Sequence, residues 1–270
     1  MTASTRPTSV FNATSKVLTG PFVTEGPGDT PEVFAAKLAK LRAEYGTPYV
    51  AFANAIRAGK VDRAAVAAFT GDLAMLMRRV ATIEGVVAFT ADPYGVDLVC
   101  RLTHPMAVAY GYWKLDRPPL VDRLAALAAE FGWKNEAILH GEPSLAVDVY
   151  LRLREALAPS SIEGAIASSA PESEWASVVG PLSEGLRQHY GASPEGCAAV
   201  TAIAEMDEHR GPERFAMVAE FARSARQQRA AVRAVREAYT CWNYMWQYWA
   251  GEKSDVRLNM TSNRRLERTN

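Results

Sequence analysis

The segment YGASPEGCAAVTAIAEMDEHRGPERF, residues Tyr190 to Phe215, gathers the acids and imidazole best spaced for chemistry. Gly191 and Ser193-Pro194 read as a turn that launches a helix, on which Glu205, Asp207, Glu208 and His209 follow closely. Glu205 and His209 are four apart and share one side of a helix, whereas Asp207 sits about 160° from His209 at 100° per residue. One of the two groups is therefore a solvated face. Carboxylate and imidazole projecting inward from bundle helices is how iron and manganese sites are built.

A second pair lies in DLVCRLTHP, where Asp97 and His104 are seven apart, two helical turns, and project together from a continuous helix amid Leu98, Val99, Cys100 and Leu102. On an apolar face they would need each other, water or a metal. The plain alternative is a helix-start Asp97 and a partly exposed His104 ahead of Pro105. Glu172 and Glu174 open a helix after Pro171, where acids also favour the positive end of the helix dipole. His140, read as a loop residue, and His189, at a helix end, carry no such constellation.

The elements that must position these residues are helical. In TPEVFAAKLAKLRAEYG, Thr30 caps, Pro31 suits the first turn and Gly46 ends the helix. Further helices are expected over Tyr49 to Ala58, a long one within residues 58–90, then Asp97 to Leu115, Leu120 to Phe131, Leu145 to Leu157, Ile162 to Leu186, Pro194 to His209, Glu213 to Ala225 and Arg229 to Trp249. No alternating strand pattern is visible. The expectation is an all-α fold, one bundle of about seven to nine helices, since no linker is long enough to separate domains. Residues 1–30 read as a flexible arm, 31–251 as the bundle and 252–270 as a polar tail.

The 270 residues are 49% apolar and 22% charged, enough for a sizeable core. Thirty basic residues balance thirty acidic ones, so no overall field attracts nucleic acid or anionic membrane, and neither partner is expected. No apolar run reaches the roughly 18 residues of a membrane span, and the N-terminal stretch lacks a signal-peptide pattern, so a cytoplasmic location is expected. Cys100, Cys197 and Cys241 are odd in number and set in apolar runs, and read as reduced core residues. In AYTCWNYMWQYW, Tyr239, Trp242, Trp246 and Trp249 form an aromatic stripe, a packing seam or the face of a homodimer.

Three stretches, TPYVAFANAIRAGKVDRAAVAAFTGDLAMLMRR, DLVCRLTHPMAVAYGYWKLD and GLRQHYGASPEGCAAVTAIAEMDEHRG, resemble in order and spacing the heme-oxygenase-like superfamily, which includes thiaminase II, pyrroloquinoline quinone synthase and dinuclear-iron oxidases of natural-product pathways. In the iron enzymes the resemblance implies an acid and His from an early helix, a Glu from a middle helix, and a late His-x-x-x-Asp-x-x-His. Here these become Asp97 and His104, Glu172 or Glu174, and Ile203, Asp207 and Arg210, so both late histidines are missing. Isoleucine has no lone pair and arginine repels a cation. Glu205 and His209 are the substitutes if the helix is rotated or bulged.

The resemblance implies an O2-dependent oxidoreductase acting on a small amine or amino-acid derivative, with iron, one or two ions, held by some of Asp97, His104, Glu172, Glu205, Asp207 and His209. Heme is not expected, because the first helices contain no histidine. The alternatives are a metal-free enzyme with His104 or His209 as general base and Arg210 holding a substrate carboxylate, or a binding protein without catalysis.

Overall fold

The structure is a computed structural model that describes residues 27–46, 50–91, 96–109, 118–207 and 210–251. The side chains of residues 96, 104–109, 205–207 and 210–212 lie outside that description, as do residues 1–26 of the expected arm over 1–30 and the expected tail over 252–270. Among the described residues the chain is helical with no strand ladder: α1 (Pro31–Tyr45), α2 (Val50–Arg57), α3 (Arg63–Thr90), α4 (Val96–Ala109), α5 (Leu120–Glu130), α6 (Asn135–His140), α7 (Leu145–Leu157), α8 (Ile162–Ala167), a 3-10 segment (Ala170–Glu174), α9 (Trp175–Tyr190), α10 (Pro194–Asp207), α11 (Arg210–Phe221) and α12 (Ala225–Trp249).

The helix starts follow from local chemistry. The Thr30 and Asp62 side chains accept from the backbone N–H groups of Val33 and Ala64, capping α1 and α3. Ser224 and Gln227 form a capping box at the start of α12. The single helix expected over Ile162 to Leu186 is instead broken, and the sequence explains why. Ser168, Ser169 and Ser173 each donate a hydroxyl to the carbonyl three residues back, and Pro171 has no N–H, so the chain tightens into a 3-10 turn before resuming as α9. His140 is the last residue of α6 and not part of a loop, a correction to the sequence reading.

α3 is the central element, buried from Val66 to Ala88 on nearly every side, with α4, α5 and α7 packed against it. α12 lies across α7, α8 and α1 and buries Tyr239, Trp242, Trp246 and Trp249, so the aromatic stripe is an internal packing seam. Trp175 meets Trp242 edge-on at 5.5 Å between centroids and Trp246 at 5.1 Å, and Phe69 of α3 meets Trp249 at 4.9 Å. Asp72 locks this seam to α3. One of its oxygens accepts from Trp249 Nε1 at 2.9 Å and the other from the Ser144 N–H at 2.8 Å, at the start of α7. Cys197 and Cys241 are buried as expected, whereas Cys100 is exposed on α4, whose core face is formed by Leu98 and Leu102.

Helices α2 and α9 approach closely enough that only glycine fits at one crossing point. A Cβ at Gly185 would stand 2.4 Å from the Ile56 carbonyl oxygen and 2.5 Å from the Arg57 backbone, atoms that cannot rotate away. Gly185→Ala is therefore expected to destabilise the protein by about 1–3 kcal/mol, the usual cost of overpacking. Gly180, on the exposed side of the same helix, has nothing within 4 Å of an added Cβ. Gly180→Ala is expected to be neutral or stabilising by up to about 1 kcal/mol. Denaturant unfolding of both variants checks the contrast.

Candidate functional site

Charged side chains in the interior need partners, and the interior of this bundle holds an unusual number of them. Glu84 on α3 and Arg154 on α7 are fully buried, and Glu172 in the 3-10 segment and Arg214 on α11 are 2% and 1% exposed. One Arg154 guanidinium joins both carboxylates: its Nη2 donates to Glu84 Oε1 at 2.5 Å, and its Nη1 donates to Glu172 Oε1. Arg214 Nη2 donates to the other Glu84 oxygen at 2.7 Å. Tyr150, one turn before Arg154 on α7, donates its hydroxyl to Glu172 Oε1 at 2.8 Å and accepts from Arg154 Nη1 at 3.3 Å.

Among the described residues two cations face two anions, and pairing of this kind is the condition for holding ions away from water. Burial pulls the Arg154 pKa down, but the Glu172 and Glu84 carboxylates and the Tyr150 oxygen beside it outweigh that and hold the guanidinium above its ordinary value. Burial, reinforced by the Glu172 carboxylate, pushes the Tyr150 phenol well above its ordinary value, so it stays a neutral donor. The cluster is not fully satisfied. Arg154 Nε and Arg214 Nη1 are buried with no hydrogen-bond partner among the described residues.

Around this cluster the residues expected from sequence are distributed as follows. Glu172 is in the cluster, bound by arginine and tyrosine. Glu174 stands at the N-cap position of α9 without a side-chain cap bond, and accepts instead from Arg42 Nε at 2.9 Å and from the Tyr239 hydroxyl at 3.3 Å, tying the 3-10 segment to α1 and α12. The Asp97 side chain is 88% exposed, in the first turn of α4, with Arg101 3.7 Å away. That is the plain helix-start role, not an inward ligand. Arg101 also reaches Glu220 of α11 at 3.1 Å, a surface tie between α4 and α11.

His104 lies in α4, Glu205 and Asp207 at the end of α10, and Arg210 at the start of α11, but their side chains are outside the described residues, and His209 is wholly so. Their helices converge on the cluster: α4 packs on α3, and α10 touches α4, α11 and the 3-10 segment. No group of three or more His, Cys, Asp or Glu side chains with metal-binding geometry occurs among the described residues. The described donors do not suit a cation. Glu172 is engaged by a guanidinium, and Asp97 faces solvent.

Sequence reasoning passed over Glu84, Tyr150, Arg154 and Arg214. Glu84 carried a signal, a lone acid inside the apolar run VATIEGVVAF of a long helix. Tyr150 and Arg154 are four apart, within reach on a helix, in a segment already assigned as helical. Arg214 carried no signal that separates it from Arg210, one turn earlier.

No family model and no curated protein matches the sequence. Solved structures match along most of the chain. A TenA homologue from Pseudomonas syringae aligns with a TM-score of 0.63 at 12% identity, over 80% of this chain and 91% of that one. A domain of unknown function with a heme-oxygenase-like fold from Shewanella denitrificans gives 0.57 at 11%, over 82% and 90%. A TenA family transcription regulator from Silicibacter gives 0.54 at 13%, over 82% and 96%. The chain has the heme-oxygenase-like fold, as the resemblance implied, and identities this low establish the fold and not the chemistry.

Two consequences are measurable. Glu84→Leu removes the described carboxylate partner of Arg214 and one of the two carboxylates on Arg154, and is expected to cost about 3–5 kcal/mol in denaturant unfolding. For pH, the sign follows from raised pKa values: each group stabilises fully below its unfolded value and loses that contribution as pH rises through the folded one. Cys241 is pushed by burial and Glu237 from an ordinary 9.0 up to about 11, and Tyr150 rises from 10.0 to well above it. The unfolding midpoint is expected to fall as pH rises above about 9. Tyr150→Phe is expected to lower stability at pH 7 by about 1–3 kcal/mol and to make the decline above pH 10 shallower. An unchanged alkaline slope in that variant contradicts the assignment.

Proposed function

We propose that this chain is a small-molecule enzyme that works without a transition metal, in a pocket ordered by the buried arginine and glutamate cluster. The observation that carries this reading is the state of Glu172. As the middle acid of an iron site it would present its oxygens to a metal, but Arg154 and Tyr150 both donate to Oε1. A cation already resides where the ligand set would place another, and Coulomb repulsion in a low-dielectric interior opposes a second. The iron-dependent, O2-consuming oxidoreductase that the resemblance implies would require Arg154 to leave.

In the metal-free reading the chemistry is proton transfer. His104 on α4 is the general base, and Arg210 at the start of α11 holds a carboxylate of a small polar substrate by a bidentate contact. The cluster acts on these residues through their helices, since Glu84, Glu172 and Arg214 fix α3, the 3-10 segment and α11 against one another. One structural neighbour is described as a transcription regulator, but the balance of thirty basic and thirty acidic residues offers DNA no general attraction. No helix among the described residues is long and apolar enough to cross a membrane.

The test needs no knowledge of the substrate at its first step. Protein loaded anaerobically with Fe(II) and then desalted is expected to retain far less than one iron per chain, and its unfolding midpoint is expected to be the same in excess chelator. With a substrate found by thermal-shift screening of amine and amino-acid metabolites, turnover is expected to persist in chelator and to fall at least about 100-fold in His104→Ala, the usual scale of a general base. Stoichiometric iron retained by the wild-type protein would sink the reading.

A further inference from the structure

We infer that the groove between α1 and the first half of α12 is a binding site for a phosphorylated small molecule. None of its described lining residues belongs to the ion cluster, so the inference stands independently of the metal-free reading. Three observations support it.

The first is shape. The groove has a volume of about 430 Å³, within the range of small-molecule sites. Ala225, Val232 and Arg236 line it from α12 and Lys37 from α1. Residues 27–29 line it as well, and Gln228 holds them in place. The buried Gln228 amide accepts from the Asp29 N–H at 2.8 Å and donates to the carbonyls of Asp29 and Ala222 at 2.8 and 3.0 Å. Gly28 is what permits this contact, because a Cβ there would stand 2.5 Å from the Gln228 amide carbon. This part of the wall is therefore in place before a ligand arrives, which lowers the cost of binding.

The second is charge. Three exposed cations, Lys37, Arg233 and Arg236, line the groove against one acid among the described residues, Asp29. Arg229 also lines it and has a further contact of its own, and the positive excess does not depend on it. At Ala225 the start of the 25-residue α12 adds the positive end of a helix dipole. Like charges gathered along one groove repel, and an anion seated among them relieves that repulsion.

The third is availability. Lys37 Nζ stands 3.7 Å from Asp29 and Arg233 Nε 3.6 Å from Glu237, ion pairs between exposed side chains and too long for hydrogen bonds. Arg236 lies over the Tyr45 ring at 5.9 Å and has no oxygen acceptor among the described residues. The cations of the groove between α3, α6 and α7 are engaged by contrast. There Arg79 donates to Asp148 at 3.2 Å and to Glu155 at 2.5 Å, and Arg78 donates to the carbonyls of Ile138 and Leu139. The α1–α12 groove thus keeps donors for a ligand. Guanidinium forks match phosphate oxygens in pairs, and a polyvalent phosphate presents enough oxygens to face several cations at once. Ala225 and Val232 give the organic part of such a molecule an apolar surface.

The experiment is calorimetric titration of the full chain with inorganic pyrophosphate, in wild type, Lys37→Gln, Arg233→Gln, Arg236→Gln and, as a control outside the groove, Arg152→Gln. Wild type is expected to bind about one pyrophosphate per chain, more weakly at about 200 mM salt than at about 50 mM, as screening requires. Each groove variant is expected to lose at least about fivefold in affinity, the scale of one charge-assisted hydrogen bond, and the control less than about twofold. Tricarballylate, a small carboxylate polyanion, is expected to bind at least about tenfold more weakly than pyrophosphate. All four substituted side chains are exposed, so the helical circular dichroism of each variant is expected to match wild type. Absence of pyrophosphate binding to wild type overturns the inference, as does an affinity unchanged in the three groove variants, an equal loss in Arg152→Gln, or an equal affinity for tricarballylate.

Discussion

The guanidinium of Arg154 is the point on which the interior turns. It sits with no solvent exposure and donates to carboxylates from two other segments, while Arg214 secures Glu84 from a third. Taking such groups out of water costs several kcal/mol per ion, and only close, multiple hydrogen bonds offset that cost. The geometry must therefore be met all at once. α3, α7, the 3-10 segment and α11 are held in one mutual arrangement because any other would leave an ion buried without its counter-charge. Replacing such a cluster by well-packed apolar side chains can leave stability unchanged, whereas removing one partner alone leaves a charge buried, so the cluster acts as a unit.

The aromatic seam and the cluster depend on each other. Tyr150 is shared between them: its ring packs edge-on against Trp242 at 5.3 Å, and its hydroxyl joins Glu172. Trp175, which begins α9 directly after the 3-10 segment, packs on Trp242 and Trp246. The tryptophans exclude water from the ion cluster, and the low dielectric they create strengthens its hydrogen bonds. Asp72 repeats the device on a smaller scale at the other end of the seam, anchoring Trp249 to the start of α7.

Much of the fold was legible in the sequence. Thr30-Pro31 announces α1, Leu145 to Leu157 is the helix expected, and Tyr239, Trp242, Trp246 and Trp249 read in sequence as a packing seam or a dimer face, of which their burial fits the seam. Failures came where side chains compete for backbone carbonyls, as at Ser168, Ser169 and Ser173, and where a helix is as short as α6. The site was legible only in part. Glu172 was singled out, but its role was not, because a carboxylate awaiting iron and a carboxylate held by arginine look alike in sequence. What distinguishes them is Arg154, eighteen residues away on a helix that was assigned without any of its charges being singled out. Asp97 shows the converse: its spacing to His104 suggested an inward pair, but Leu98 and Leu102 claim the core face of α4.

The most direct test of the central claim is an anomalous-diffraction map at the iron edge, from crystals of the wild-type protein grown and soaked anaerobically with Fe(II). The account requires continuous density for Arg154 bridging Glu84 and Glu172, with no anomalous peak between those carboxylates. An iron peak there, with Arg154 swung away from Glu172, would contradict it.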